Sequence, residues 1–321
     1  MTSSTTTDAA TDSLGPAEVA AYLARLGVVA PEAPTLGALA SLHRAHLMRV
    51  PFENLDIELG RTIRLDVDHL HTKVVVRRRG GYCYELGGLF AALLRSLGYA
   101  VDLVSARVST ADGGLTDDFD HLALVVTSPD LPEPLLADVG FGDAFIEPLP
   151  LRDGISVHER GKDVGLAQVG DTWHYRERRH AHDRTEARSL PTDRDVGEWR
   201  TQYVFTTTPH RLADFEPRNR WQQTSPESHF ARQRVASRLT PTGRVTLSGQ
   251  RLITTTHGRR DEVELADDEV ATALAGHFGI VLSGRHTESP SASESAGGGP
   301  AQPQASLVGR QRQNGWPAGS A

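Results

Sequence analysis

Apolar residues recur at helical spacing through the first hundred positions of the chain. One such stripe follows Pro16 and ends at Gly27, and a second follows Thr35, whose hydroxyl suits an N-terminal cap. A third begins at Cys83 and ends at Gly98. The pattern therefore predicts three helices with residues at both ends that start and stop them.

Beyond residue 100 the pattern changes to short apolar or β-branched runs between Gly, Asp and Pro turns. These runs predict strands over 101–108, 121–127, 135–139, 164–169, 172–178, 202–207, 234–239, 243–247 and 250–255. We also predict a short helix over 70–79 and a last helix over 267–278. Helices followed by strands favour an α+β fold.

Both ends of the chain lack the composition of a folded segment. Residues 1–12 are small and polar, and residues 284–321 are rich in Ser, Gly, Pro, Gln and Glu. Such segments bury too little apolar surface to offset the entropy lost on ordering. We therefore predict disordered ends around a structured region at 13–283.

Composition narrows the class of protein. By length the 321 residues predict about two domains, although one large domain also fits, and an apolar content of 38% allows a packed core. The net charge of −7 argues against nonspecific nucleic-acid binding, which needs a basic surface. No run reaches the roughly 18 apolar residues of a membrane-spanning helix. Because residues 1–12 also lack the features of a secretory signal, we expect a cytoplasmic protein.

Cys83 is the only cysteine, which excludes an internal disulfide and a Cys-rich zinc site. It follows Gly80-Gly81-Tyr82 at the predicted start of a helix. The free N–H groups and partial positive charge of a helix N-terminus lower the pKa of a thiol. The two glycines permit a sharp turn and the close approach of a substrate. The position predicts a nucleophile, although it also fits a buried structural cysteine.

A cysteine nucleophile needs a base and a group that orients the base. His121 begins an apolar strand, where its ring can enter a site while the core fixes the strand. Asp138 ends another apolar run, and a carboxylate buried there needs a partner. Asp120 is the rival acid, but strand neighbours point to opposite faces, so Asp138 is the better partner. Taken alone, His121 also fits an ordinary strand-end histidine.

Two further motifs have ordinary structural interpretations. Residues 176–182 mix Arg, Glu and His, and we interpret them as a solvated loop rather than a metal or anion site. Gly140-Phe141-Gly142 is too short a pattern to identify a phosphate-binding loop, so a plain turn is the default. We therefore expect no bound metal.

The motifs around the candidate residues together resemble those of arylamine N-acetyltransferases. The segment from Arg79 to Leu86 (RGGYCYEL) is similar to the nucleophile motif of that family. The segment from Val50 to Asp56 (VPFENLD) is similar to its N-terminal signature. His121 and the segment from Asp138 to Gly142 (DVGFG) follow in the family's order.

The resemblance covers about residues 14–280. Residues 225–230 and 243–252 are similar to the C-terminal region of the family, whereas residues 152–200 match it weakly. Within that stretch, the charged segment 176–198 reads as an altered loop that changes substrate access.

The resemblance implies a three-part fold. A helical domain with the nucleophile would occupy 13–99, a central β-barrel domain 100–205, and a C-terminal α/β lid 206–283. The arrangement of nucleophile helix and triad strands would be that of papain-like and transglutaminase-like enzymes.

The resemblance also implies the reaction, a transfer of acetyl from acetyl-CoA to an arylamine, hydrazine or arylhydroxylamine. The acetyl group would pass through a thioester on Cys83, and His121 and Asp138 would complete a catalytic triad. The partners would thus be a coenzyme A thioester and a small aromatic amine or hydrazine, without nucleic acid, membrane or metal.

The family's substrate contacts map onto four residues here. Phe52 and Phe141 would line an apolar acceptor pocket, and Gly142 and His229 would lie near the CoA path. One departure stands out, because Gly87 occupies a position where the family commonly has Asn. A glycine inside a helix costs about 1 kcal/mol against alanine and removes a side-chain amide.

Other functions fit the same three residues. An amide synthase of this fold would close a polyketide macrolactam and take its acyl group from a carrier protein. A transglutaminase-like or peptidase-like enzyme would act on peptide amides without a thioester donor. A binding module that kept the fold would have no need for all three side chains.

Overall fold

Helices come first along the chain, as the apolar spacing predicts. The structure is a computed structural model that describes residues 13–180 and 197–282. The N-terminal helices are α1 (Pro16–Leu26), α2 (Leu36–Arg49), α3 (Leu55–Glu58), α4 (Val67–His71) and α5 (Cys83–Ser96). Gly27 ends α1 with a φ of 69°, and the Thr35 hydroxyl accepts a hydrogen bond from Ala38 N at 3.3 Å. The ends predicted to be disordered, 1–12 and 284–321, lie outside the described residues.

The helix predicted over 70–79 is wrong in its bounds. The side chain of Asp66 caps α4, so the helix begins earlier, at Val67. It continues into a wider π-type turn, Thr72–Val76, and ends there. Arg78 has a left-handed φ of 54°, a conformation that no α-helix continues. The chain therefore reaches Gly80-Gly81 as a loop.

The larger of the two described sheets is antiparallel and curls into a half-barrel. Its strand order is β5-β4-β3-β2-β9-β8-β7-β6. The strands are β2 (Ala100–Val108), β3 (His121–Thr127), β4 (Leu135–Ala137), β5 (Leu149–Pro150), β6 (Ser156–Glu159), β7 (Lys162–Val169), β8 (Thr172–Arg179) and β9 (Arg200–Phe205). The predicted α+β fold, with helices before a central barrel-like sheet, is confirmed.

The smaller sheet joins the N-terminal segment to the C-terminal one. Its order is β1-β10-β11-β12-β13, and β1 pairs with β10 through Phe52 and Ser237. The strands are β1 (Phe52–Glu53), β10 (Val235–Thr240), β11 (Gly243–Ser248), β12 (Arg251–Thr256) and β13 (Arg259–Glu264). Its apolar face packs against α8 (Asp267–Ala273) and a π-type turn at Leu274–Phe278.

Two short helices between β9 and β10 complete the described chain, α6 (Glu216–Thr224) and α7 (His229–Arg232). None of the helices within the described ranges has the length and apolar content that a membrane crossing requires. The domain boundaries predicted at residues 99 and 205 stay predictions.

The core positions the candidate residues. Helix α5 is buried on all sides from Cys83 to Leu94 and belongs to the same apolar cluster as residues of β2, β3 and β4. Leu124 of β3 pairs with Ala137 of β4. This antiparallel register places Asp138, one residue beyond β4, near the start of β3.

Candidate active site

The structure brings the three predicted triad residues into one buried site. Cys83 is the first residue of α5, His121 the first of β3, and Asp138 follows β4 directly. Their exposed fractions are 4%, 2% and 1%. His121 Nε2 lies 2.8 Å from Asp138 Oδ2. Because a carboxylate only accepts, this bond keeps the proton on Nε2 and leaves the Nδ1 lone pair available as a base.

The turn after β4 fixes the Asp138 carboxylate. Its Oδ1 accepts hydrogen bonds from Gly140 N at 2.9 Å and from Phe141 N at 3.0 Å. Oδ1 is therefore held by the turn, and Oδ2 bonds to His121. The Gly140-Phe141-Gly142 motif is a turn, as predicted, and its N–H groups hold an internal carboxylate.

His43 of α2 forms a hydrogen bond with the backbone of Asp138, a role that the sequence analysis missed. Asp138 N donates to His43 Nε2 at 3.0 Å, and His43 Nδ1 lies 2.7 Å from the carbonyl oxygen of Ile146. The ring also stacks on Phe145 at 5.7 Å. Burial lowers the pKa of His43, although the Ile146 carbonyl works against that shift. The available signal was a histidine on the apolar face of α2.

The carboxylate of Asp120, the rival acid, bonds to α6, whereas Asp138 bonds to His121. Asp120 Oδ1 accepts from Arg218 Nε at 2.8 Å and from Gln222 Nε2 at 2.7 Å, both on α6. The Asp120 carbonyl oxygen accepts from the Tyr84 hydroxyl at 3.1 Å. Asp120 thus ties α6 to the mouth of the site.

The environment of Cys83 differs from the sequence expectation. Burial raises the pKa of its thiol well above the ordinary value, and the Asp120 carboxylate adds to this. Backbone hydrogen bonds from Leu122 and Tyr84 lower it, as a helix N-terminus should, but they are outweighed. Forming a thiolate at Cys83 therefore requires a base.

Glycines let the backbone close around Cys83. A Cβ at Gly140 would lie 2.7 Å from Cys83 Cα, so only glycine allows the β4 turn to touch the start of α5. A Cβ at Gly87 would lie 2.5 Å from Leu122 Cδ2. Gly87 thus lies directly against the Leu122 side chain, on the strand that begins at His121.

A buried ion pair holds the loop before Cys83. Arg79 donates to both carboxylate oxygens of Glu53, from Nε at 2.9 Å and Nη2 at 3.0 Å, and also lies 3.1 Å from Asp56. Gly80 N donates to Glu53 at 3.2 Å. The VPFENLD and RGGYCYEL motifs are therefore two halves of one bonded structure.

A second buried pair holds the helix start itself. Lys73 lies 2.7 Å from Glu85 and 2.8 Å from Asp56. Glu85 also accepts from Tyr82 N at 3.2 Å, which caps α5. Burial raises the pKa of Glu85 to about 7, although the Lys73 ammonium lowers it. Burial works to lower the pKa of Lys73, but the nearby carboxylates, Glu85 first, raise it overall.

A cavity of about 330 Å³ opens onto Cys83 and His121. Phe52, Phe141 and His229, three of the four predicted substrate contacts, also line it. Gly142 is not among the lining residues and follows Phe141 with a φ of 93°. A larger cavity of about 660 Å³ lies between α2, the β10–β11 turn and the β12–β13 turn. None of the predicted site residues lines it.

Helices α6 and α7 and the turn between them supply lining residues that the sequence analysis missed. These are Arg218, Trp221, Gln222, Glu227 and Arg232. Helix α6 is polar around its circumference, and the residues that it buries are the amides Asn219 and Gln222. Apolar periodicity therefore gives no signal there, although Pro217 in the first turn is a helix-start residue.

The charged motif at 176–182 is only partly the loop that the sequence indicated. Residues 176–179 belong to β8, paired with β7 and β9. The interpretation as a solvated loop is therefore wrong for these four residues, and the last two lie outside the described residues.

Comparison with known proteins decides the family. A family model described as N-acetyltransferase matches residues 35–287. The arylamine N-acetyltransferase of Mycolicibacterium smegmatis is 34% identical over 272 residues, which is 83% of this chain and 92% of the relative. The pineal gland isozyme NAT-3 of Gallus gallus is 32% identical over 276 residues, 83% and 94% of the two chains. The chain belongs to the arylamine N-acetyltransferase family.

Solved structures of arylamine N-acetyltransferases share the fold. The enzyme from Salmonella typhimurium has a TM-score of 0.74 at 32% identity, covering 84% of this chain and 93% of that one. The Mycobacterium marinum enzyme in complex with CoA has a TM-score of 0.71 at 31% identity, covering 82% and 92%. As a member of this family the chain is an acyltransferase, and the family implies acetyl-CoA as cosubstrate.

Proposed function

We propose that this acyltransferase moves acetyl from acetyl-CoA to an arylamine, hydrazine or arylhydroxylamine through an acetyl-cysteine on Cys83. The proposal rests on the 2.8 Å pairing of His121 with Asp138 beside the only thiol of the chain. Cys83 and His121 face the same cavity, so a thioester that enters it meets nucleophile and base together.

The first half-reaction forms the acetyl-enzyme. His121 Nδ1 takes the Cys83 proton as the sulfur attacks the thioester carbonyl, and Asp138 stabilises the imidazolium. The backbone N–H groups of Tyr84 and Leu122 lie beside the sulfur and would stabilise the oxyanion. The C–S bond to CoA breaks, and CoA leaves with the proton from His121.

The second half-reaction releases the acetylated product. The acceptor nitrogen attacks the acetyl-cysteine carbonyl while His121 removes a proton from it. The C–S bond to Cys83 breaks, the sulfur recovers the proton, and the amide leaves. The enzyme returns to its starting state, so the two substrates bind alternately.

Aromatic and cationic residues divide the cavity between the two substrates. Phe141 lies 5.1 Å from the His121 ring, where an aromatic acceptor can stack near the base, and Phe52 lines the same space. His229 and Arg232 are exposed on α7 at the rim, which suits the phosphates of CoA. Gly142, in the turn beside Phe141, would lie along the CoA path.

The test is an intact mass measured after incubation with acetyl-CoA and no amine. We expect a gain of one acetyl group on the wild type and none on Cys83→Ala, and we expect added arylamine to remove it. His121→Ala should acylate slower by about a hundredfold or more, because a general base contributes about that much.

Two results would contradict the proposal. One is an equal acetyl adduct on Cys83→Ala, which would place the acyl group elsewhere. The other is acylation of Cys83 by a carrier-protein thioester but not by acetyl-CoA, which would indicate the amide synthase instead.

A further inference from the structure

Three potential metal ligands meet at the far edge of the half-barrel, and none lines the catalytic cavity. His158 lies on β6, Asp163 on β7, and His180 directly follows β8. Their ligand atoms all lie within 4.8 Å of one another, the one such group of His, Cys, Asp or Glu found across residues 13–180 and 197–282.

Strand pairing explains the convergence. His158 is the register partner of Asp163, and Asp163 is the register partner of Arg178. His180 lies two residues beyond Arg178, so alternation returns it to the same face. The turn at Arg160-Gly161, with both φ values positive, makes the β6–β7 hairpin tight.

One carboxylate oxygen faces both imidazoles. His158 Nδ1 lies 2.8 Å from Asp163 Oδ1, and His180 Nε2 lies 3.1 Å from the same oxygen. The His180 contact has the distance of an ion pair, but His180 Nε2 is a buried atom without a hydrogen bond of good geometry. A cation beside Asp163 Oδ1 would give this nitrogen a partner.

The other carboxylate oxygen is occupied by an arginine. Asp163 Oδ2 accepts from Arg178 Nε at 3.0 Å and Nη2 at 2.5 Å, and Arg178 packs over the Trp199 ring at 4.9 Å. Arg178 thus orients the carboxylate and leaves Oδ1 for another cation. Hydrogen bonds of this kind to the outer oxygen are common around bound metals.

We propose that His158 Nδ1, Asp163 Oδ1 and His180 Nε2 bind a divalent transition-metal ion of the Zn²⁺ class. Two imidazoles and one carboxylate form a donor set that Zn²⁺ uses, with a water in the remaining position. Binding displaces the His158 proton shared with Asp163. The ion fastens the β6–β7 hairpin to the end of β8. Glu159 of that hairpin accepts from Ile146 N at 3.0 Å, so the ion also steadies the segment after Asp138.

The test uses the full chain without an affinity tag, stripped with EDTA and alkylated at Cys83 to remove the competing thiol. Titration with ZnCl₂ by calorimetry near neutral pH should show one ion per chain. CoCl₂ should give the visible absorption of a Co²⁺ ion with nitrogen and oxygen ligands. ZnCl₂ should also raise the Tm.

Matched variants make the result decisive. His158→Ala and His180→Ala should each weaken Zn²⁺ binding more than about tenfold. His277→Ala, an exposed histidine beyond α8, should bind like the wild type. The His158 side chain is 63% exposed, so its loss should leave the fold intact, and an unchanged Tm in EDTA checks this. Absence of saturable binding to the wild type, or equal binding by His158→Ala, overturns the proposal.

Discussion

Among single residues, His43 holds the backbone of Asp138 and so supports the turn that fixes its carboxylate. Replacing His43 by leucine would leave Asp138 N–H and the Ile146 carbonyl buried without partners. We expect His43→Leu to lower the free energy of unfolding by about 1–3 kcal/mol for each group left unpaired. A shifted carboxylate should also lower kcat by about ten- to a hundredfold. Urea unfolding and steady-state acetyl transfer measure both effects.

The control for this prediction is His43→Gln, whose side-chain oxygen can still accept from Asp138 N and should restore most of kcat.

The stability that His43 contributes should also depend on pH. Because burial lowers the pKa of His43, the unfolded chain binds the proton first as pH falls below about 6.5. The contribution of His43 to stability is complete above that pH and declines below it. Equal activity and equal acid stability in His43→Leu would contradict this role.

Among the elements, α5 begins on a buried charge network of three acids and two bases. The acids are Glu53, Asp56 and Glu85, and the bases are Lys73 and Arg79. If every group were ionised the network would carry one negative charge in the interior. The raised pKa of Glu85, about 7, means that a proton removes this charge at mildly acidic pH.

We therefore predict that Glu85 makes stability fall as pH rises. Its pKa is about 4.3 in the unfolded chain and about 7 in the folded one, so only the folded state binds the proton between these values. The stabilising effect is complete below about pH 4.3 and is lost as pH rises through 7. The unfolding free energy of wild type minus Glu85→Gln should fall by up to ~1.4 kcal/mol per pH unit across this window.

Urea unfolding at a series of pH values measures this difference. Glu18→Gln is the matched control, because Glu18 occupies the same capping position on α1 without being buried. Its difference curve should lack the decline. A flat curve for Glu85→Gln between pH 5 and 7 would show that Glu85 titrates like an exposed carboxyl.

Helices and strands that show a pattern of apolar residues could be predicted from the sequence. Elements that are held mainly by polar contacts could not. Strand β3 was found because residues 122–126 are all apolar, whereas α6 buries amides and was missed. Cys83, His121 and Asp138 could be proposed because each lies at the end of an element. His43 could not, because its bond to Asp138 joins residues 95 positions apart. Such contacts depend on the folded core rather than on local pattern.

For the whole molecule, Asn54 joins the N-terminal helical segment to the segment that leads into β10. Its Nδ2 donates to the carbonyl oxygens of Phe230 and Gln233, both at 2.9 Å, and its Oδ1 accepts from Val235 N at 2.7 Å. The side chain is buried. The segment that carries α7, and with it His229 at the cavity rim, is thus held by a residue of the VPFENLD motif.

Asn54→Ala should release this segment while leaving the half-barrel closed. The three backbone groups would lose their partners, and they regain hydrogen bonds most easily by opening to water. We expect amide hydrogen exchange over 229–240 to accelerate by about tenfold or more, which corresponds to a loss of about 1.4 kcal/mol in the free energy of local opening. Exchange in β2 and β3 should stay slow. The KM for acetyl-CoA should rise more than kcat falls, because the proposed function assigns α7 to binding the donor rather than to the reaction at the sulfur. Gln168→Ala, an exposed amide on β7, is the control. Acceleration spread evenly over all strands would show that Asn54 supports global stability rather than this one attachment.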